Sequence, residues 1–158
     1  PGHQVEWAKL LLQLDFHFPQ RWYKQKAIYL FDQAIKFGMD EKYGGIVYGY
    51  SSEGKFTNSN KYFWVQAEAL AASWRLYKKT KSTKYHDFYI SLWEWCWNNF
   101  IDHKYGGWFS ILSQAGEKLS NVKSNLGKTD YHTMGVCYEV LRALRLMTCP
   151  FKVVQVKY

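Results

Sequence analysis

Asp40-Glu41-Lys42-Tyr43-Gly44-Gly45 returns 62 residues later as Asp102-His103-Lys104-Tyr105-Gly106-Gly107. The offset holds downstream, where Gly54 falls on Gly116 and Lys61 on Lys123. It also holds upstream, where Ile28, Leu30, Phe31 and Ala34 fall on Ile90, Leu92, Trp93 and Cys96. Self-similarity at a fixed period argues for an array of one supersecondary unit. Each copy begins with a helix-length apolar pattern, then a Gly-Gly pair, an alternating stretch and another Gly. Ile46 to Tyr50 and Trp108 to Leu112 are rich in aromatic and β-branched residues, which suits short strands. Ser52-Glu53-Gly54 and Gln114-Ala115-Gly116 suit tight turns, because Gly takes positive φ without a steric cost. The unit therefore reads as helix, short β-hairpin, helix, and the chain as all-α with β-hairpins between its helices.

A length of 158 residues fits one domain, residues 1–158, with enough chain for a sizeable core. Hydrophobic residues make up 47% and aromatics 20%, too apolar for a disordered chain. Eight Trp and thirteen Tyr need burial, or a sugar or base to stack on. The formal net charge of +8 fits solvated Lys on outer helix faces. No dense Lys/Arg block stands out, which argues against a nucleic-acid footprint. The three cysteines, Cys96, Cys137 and Cys149, are odd in number and lack metal-ligand spacing. They fit buried thiols in a reducing, cytoplasmic compartment. No signal peptide and no long apolar run is present, so membrane spanning has no support. The chain opens on Pro1-Gly2-His3 with a helical pattern directly behind it, which reads as the inside of a larger protein.

Five helices are expected. Residues 3–18 carry Val5, Ala8, Leu11 and Leu12 on a core face, with His3, Glu6, Trp7 and Leu10 on a second face. A second helix runs over 21–37, with Ala27, Leu30, Phe31 and Ala34 inward and Gly38 as its stop. A third covers 60–78. Phe63, Ala67, Leu70, Trp74 and Tyr77 form its apolar stripe, and Trp64, Glu68, Ala71 and Arg75 a mixed one. An aromatic ring beside an acid suits a sugar, whose C–H face meets the ring while its hydroxyls meet the carboxylate. The equally ordinary alternative is a packing Trp beside a salt-bridged Glu. A fourth helix covers 84–100, with Phe88, Leu92, Trp93, Cys96 and Phe100 as core residues. The second hairpin is expected at 105–118. A fifth helix is expected from Asp130 to about Met147, with Met134, Tyr138, Leu141 and Leu144 on one stripe. Asp130-Tyr131-His132 sits at its mouth with Lys128 just before. The positive end of a helix dipole favours a neutral imidazole there, suited to a general base.

Four segments carry a family resemblance. Pro1-Gly2-His3-Gln4-Val5-Glu6-Trp7 resembles the G-H-x-x-E-W segment of the N-acylglucosamine 2-epimerase family. Phe63-Trp64-Val65-Gln66-Ala67-Glu68-Ala69 resembles its aromatic-Trp-x-x-A-E segment. Asp102 to Phe109 resembles its acidic-Y-G-G-W-F hairpin, and Lys128-Thr129-Asp130-Tyr131-His132 the segment that ends in its last histidine. The resemblance implies an (α/α)6 barrel, in which helical hairpins close into a ring and inner helices line a sugar pocket. Helices one, three and five would be inner, and helices two and four outer. Five helices cannot close such a ring, so the chain would be the C-terminal portion of a larger barrel. A further histidine and an arginine usual in the family's N-terminal half have no counterpart here.

The implied function is a sugar isomerase or epimerase acting at C2 of an aldose. A base takes the C2 proton to give a cis-enediolate. A second group returns a proton to the opposite face of C2 or to C1. Groups titrating near neutrality suit this, and His is the usual choice. By resemblance His3 and His132 are the catalytic pair. Glu6, Trp7, Trp64, Glu68, Lys128 and Asp130 bind the substrate, with Lys128 placed to steady enediolate charge. The chemistry implied calls for no cofactor and no metal. The implied partner is a small sugar, with no membrane, and a homodimer is an allowed assembly. Epimerases of the family usually carry Arg three residues after the last histidine, where Gly135 stands here. The stretch Gly127 to His132 resembles the isomerase branch, whereas Trp64 to Glu68 resembles cellobiose-type epimerases. The reaction subtype therefore stays open. The alternative reading is a non-catalytic or lyase-like carbohydrate-binding α/α toroid.

Overall fold

The structure, a computed structural model, describes residues 1–123, 126, 128 and 130–144. Its elements run α1 (Gly2–His17), α2 (Arg21–Gly38), β1 (Gly49–Tyr50), β2 (Phe56–Asn58), β3 (Lys61–Tyr62), α3 (Phe63–Thr80), α4 (Thr83–Asn99), β4 (Ile111–Leu112) and α5 (Tyr131–Ala143). Pro19, which lacks a backbone donor, falls between α1 and α2 as a break should. α3 ends where Lys81 takes a left-handed conformation at φ 64. The expected reach of the fifth helix to Met147, Cys149 and the tail from Pro150 to Tyr158 lie outside the described residues.

α1 packs on α2 and α3, and α3 packs in turn on α4 and α5. An inner row of α1, α3 and α5 is thus backed by α2 and α4, the alternation of a partial (α/α)6 barrel. α3 is the centre of the row. Every residue from Val65 to Trp74 is buried, and the run Ala67, Ala69, Ala71 and Ala72 lets neighbouring helices approach from several sides. The other helices bury one face each: Val5, Ala8, Leu11 and Leu12 from α1; Ala27, Phe31 and Ala34 from α2; Tyr85, Leu92 and Cys96 from α4. On α5 the buried pair is Thr133 and Val136, while Met134, Tyr138, Leu141 and Leu144 stay exposed. No helix among the described residues is long and apolar enough to cross a membrane.

The sequence repeat is a structural repeat down to its hydrogen bonds. Asp40 Oδ1 accepts from the backbone N–H groups of Lys42 and Tyr43, and Asp102 Oδ1 accepts from those of Lys104 and Tyr105. Asp40 Oδ2 meets Lys61 Nζ at 3.0 Å, and Asp102 Oδ2 meets Lys123 Nζ at 2.7 Å. Gly54 N–H donates to Ser51 O, and Gly116 N–H to Ser113 O. The hairpins themselves differ from expectation. β1 pairs with β2 within the first copy, whereas β4 of the second copy pairs antiparallel with β3 of the first. On the return limb of the second hairpin only Leu112 and Lys118 form a bridge. Ile46 and Trp108, expected to begin strands, instead bridge back to Met39 and Ile101 across the Gly-Gly loops.

Candidate active site

The helical period sets the first contact. Gly2 opens α1, and a Cβ there would collide with the six-membered ring of Trp64. Glycine thus lets the indole lie on the first turn of α1. Trp64 is the second residue of α3. Its ring lies 5.2 Å from that of His3 and 5.4 Å from that of His132, centroid to centroid. Two imidazoles that stand 129 residues apart in the chain therefore flank one indole. His132, in the first turn of α5, also meets the rings of Tyr131 at 4.8 Å and Phe63 at 6.2 Å.

Behind the imidazole lies a buried charge cluster. Glu68, one turn after Trp64 on α3, is 1% exposed. Its Oε1 lies 2.7 Å from His132 Nδ1, at hydrogen-bond distance. Its Oε2 faces the Lys9 ammonium at 2.5 Å, a contact of charge on charge without hydrogen-bond alignment. Lys9 comes from α1 and is 4% exposed. Its ammonium also donates to Tyr131 OH at 3.3 Å and lies 4.9 Å from that ring's centroid. Glu6 completes the cluster. Its carboxylate, that of Glu68 and a ring nitrogen of His132 all lie within 4.8 Å of one another, and the cation of this group is Lys9. Two turns further along α3 and α5, Arg75 pairs with Glu139, which also accepts from Gln13 of α1 at 2.9 Å. The three inner helices are thus tied twice by polar layers, each drawing one or more residues from every helix.

A cavity of about 390 Å³ opens beside this cluster, lined by Gln4, His3, Trp64, Tyr48 and Tyr50 with Pro1 and Gly2. Tyr48 stacks on Tyr62 with ring centroids 4.1 Å apart and meets Trp64 edge-on at 6.3 Å. Tyr50 OH donates to Gln4 Oε1 at 2.6 Å. Burial raises the Tyr50 phenol above its ordinary range, with the Gln4 bond opposing it. Both tyrosines read as strand residues in the sequence, and their repeat partners Ser110 and Leu112 gave no hint of a pocket wall. Lys9 was missed because it sits among Val5, Ala8, Leu11 and Leu12. A lysine within a core face, three residues after Glu6, was the available signal.

The remaining expected residues lie elsewhere. Trp7 is absent from the lining of the cavity beside the two histidines. It is 55% exposed and lines a larger hollow of about 930 Å³ with Leu10, Trp74, Arg75, Tyr138 and Glu139. The Lys128 ammonium donates to Trp108 O at 2.7 Å and to Lys123 O, and lies 4.4 Å from the Phe63 ring centroid. Burial pulls its pKa below the usual lysine range. Lys128 therefore fastens the segment ahead of α5 to the start of α3. Asp130 is the exposed N-cap of α5 and works through its carbonyl, which accepts from Met134 N–H and the Thr133 hydroxyl.

With this geometry in view, comparison with known proteins is informative. The family model for N-acylglucosamine 2-epimerase (GlcNAc 2-epimerase) matches residues 1–136. A D-mannose isomerase of Marinomonas mediterranea is 56% identical over 146 residues, covering 92% of this chain and 37% of that protein. A D-mannose isomerase of Pseudomonas cannabina pv. alisalensis is 32% identical over 140 residues, covering 84% of this chain and 33% of that protein. A crystal structure of D-mannose isomerase superposes with a TM-score of 0.88 at 55% identity, over 90% of this chain and 37% of that one. The chain thus spans little more than a third of the length of these relatives. On the family model and on this degree of identity, the chain belongs to the N-acylglucosamine 2-epimerase family.

Proposed function

We propose that the protein is an aldose–ketose isomerase of the D-mannose isomerase type, that this chain is one portion of its (α/α)6 ring, and that His3 and His132 are its proton carriers. The observation that supports this reading is the pair of imidazoles flanking Trp64, one of them bonded to a buried carboxylate. The identity with D-mannose isomerases favours the isomerase subtype over C2 epimerisation.

The chemistry follows from the residue types. The open-chain aldose lies across the indole with its C–H face on the ring. A carboxylate only accepts hydrogen bonds, so Glu68 fixes the His132 proton on Nδ1 and leaves the Nε2 lone pair for the sugar. His132 takes the C2 proton and becomes an imidazolium whose charge Glu68 stabilises. The electron pair left at C2 closes the enediolate, and the aldehyde oxygen takes up the negative charge. The C2 hydroxyl proton passes to O1, and a proton added to C1 as the O2 electron pair forms the carbonyl at C2 gives the ketose, the proton taken by His132 being returned in exchange. His3 stands on the other flank of the indole as the second acid/base. Glu6 and Gln4 hold hydroxyls, and Tyr48 and Tyr50 wall the cavity.

The test is incubation of the full-length protein with D-mannose in heavy water, followed by NMR. Ketose formation with deuterium at C1, or in recovered aldose at C2, is the expected result. Binding of mannose with neither ketose nor deuterium incorporation overturns the reading and leaves a carbohydrate-binding toroid.

A further inference from the structure

We propose that Lys9 is a positioning residue for this chemistry: by pairing with Glu68 it holds that side chain as a carboxylate and so keeps His132 a neutral base with its proton on Nδ1. The inference rests on the reading of His132 as a proton carrier.

Geometry carries it. Glu68 is 1% exposed and Lys9 4% exposed, so both charges have left water and answer mainly to each other. The two carboxylate oxygens are divided between them: Oε1 takes the imidazole N–H at 2.7 Å and Oε2 takes the ammonium at 2.5 Å. A carboxyl group holding its own proton would become a donor and would favour the opposite imidazole tautomer, with Nδ1 as acceptor and the proton on Nε2. A carboxylate without a neighbouring cation would draw a second proton onto the imidazole. Lys9 prevents both outcomes. It is held for this purpose by Tyr131, whose hydroxyl accepts from it at 3.3 Å and whose ring meets His132 edge-on.

The other groups around His132 do not replace this charge. From α1 it meets Glu6 beside it and His3 across the indole; from α3 it meets Glu68. From its own helix it meets the neutral Tyr131 phenol. The Lys128 ammonium lies over Phe63 and is bonded to two backbone carbonyls. With two acids beside the imidazole and one buried cation, removal of the cation raises the net negative charge from one to two, which favours the imidazolium.

The experiment is ¹⁵N NMR of the His132 ring in the full-length protein, as wild type, Lys9→Gln and Lys9→Arg. Lys9→Gln removes the charge and keeps a hydrogen-bond donor, one bond shorter than the lysine. The expected wild-type spectrum shows the Nδ1–H tautomer. In Lys9→Gln the doubly protonated ring is present at a pH where the wild type shows the neutral tautomer, and Lys9→Arg restores the wild-type spectrum. Sugar turnover in Lys9→Gln falls through kcat, with the acid limb of its pH profile displaced upward and KM changed less. An Nε2–H tautomer in the wild type overturns the proposal without any variant. A titration unmoved in Lys9→Gln overturns it as well. If the ring titration moves as expected while the wild type turns over no sugar, the isomerase reading fails and the charge relation stands.

Discussion

The repeat supplies its own control for the worth of a buried ion pair. Lys61 and Lys123 are equivalent positions, each bonded to the aspartate that opens its Gly-Gly loop. Their surroundings differ. The Lys61 and Asp40 side chains are 0% and 3% exposed, whereas those of Lys123 and Asp102 are 26% and 14% exposed. Replacing each lysine by Met keeps the apolar stem and removes the charge. At 3.0 Å and an effective permittivity near 20, the Lys61–Asp40 attraction is about 5 kcal/mol. Stripping one partner from a buried pair costs about 3–5 kcal/mol. Asp40 keeps three donors at 3.1 Å, the N–H groups of Lys42 and Tyr43 and the Gln114 amide, so the lower end of that range, about 3 kcal/mol, is expected. Lys123→Met should cost a small fraction of this, because solvent screens the exposed pair.

The assay is the urea midpoint of the full-length protein, followed by tryptophan fluorescence, for Lys61→Met, Lys123→Met and the double variant Asp40→Asn/Lys61→Met. The double variant should recover part of the loss, since no uncompensated charge remains. A pH series adds a sign. Burial works to raise the Asp40 carboxyl, but the bonds from Lys61, Tyr43 and Gln114 outweigh it and hold the group below its ordinary range. In the wild type this pair therefore adds stability above the ordinary carboxylate range, and that stability is lost as pH falls. In Lys61→Met the order reverses, and the deficit should shrink on acidification. Equal midpoint shifts for the two single lysine variants would refute the reasoning.

Three further expectations follow. Gly45→Ala should destabilise more than Gly107→Ala. Both residues have positive φ, 71 and 83, which costs a side chain about 1–2 kcal/mol. A Cβ at Gly45 meets the Trp95 ring at 2.6 Å, while at Gly107 the nearest atom is Lys123 Cδ at 3.6 Å, and thermal melts of the two variants read the difference. His3→Asn and His132→Asn should each lower kcat by a factor of about 10²–10⁴ with the far-UV CD spectrum unchanged. The Lys123 bond, with help from the Tyr105 and Lys104 N–H groups, holds the Asp102 carboxyl down to about 2. Its contribution is therefore present above about pH 4 and lost as pH falls towards 2. Replacing Asp102 by Asn should flatten melting temperature against pH across that window.

Much of the architecture was legible because it rests on local periodicity. The five helices begin, and the first four also end, within a few residues of their expected bounds, since Gly38 and Pro19 act on the backbone directly. The repeat announced equivalent loops, and the Lys61–Lys123 correspondence foretold two equivalent ion pairs. Strand partners were not legible, because β3 and β4 pair across copies and a two-residue strand carries no register signal of its own. Of the site, His3, Trp64, Glu68 and His132 carry the motif spacing and do meet. Lys9 and Tyr48 carry none. Their roles arise from what a neighbouring helix or loop presents, which a single-element pattern cannot express. Trp7 and Lys128 show the converse, since membership of a motif in sequence does not fix which cavity or backbone group a side chain meets.

The repeat and the site are one arrangement. In the first copy, Lys61 holds the chain to Asp40 two residues before α3 begins. Phe63 N–H then donates to Ser110 O, and the Gln66 amide bonds both the N–H and the carbonyl of Ile46. Between Phe63 and Gln66 sits Trp64, and two residues beyond Ile46 sits Tyr48. The ion pair and the amide clamp therefore place the indole and one cavity wall together. In the second copy, Lys123 holds to Asp102, and Lys128 ties Lys123 O and Trp108 O together just ahead of α5. That places the first turn of α5, and with it His132. Each Asp–Lys loop thus fixes the entry of the inner helix that follows it, the first delivering Trp64 and Glu68 and the second His132. On this argument a loop variant such as Lys61→Met that stays folded should also loosen sugar binding, although Lys61 touches neither histidine.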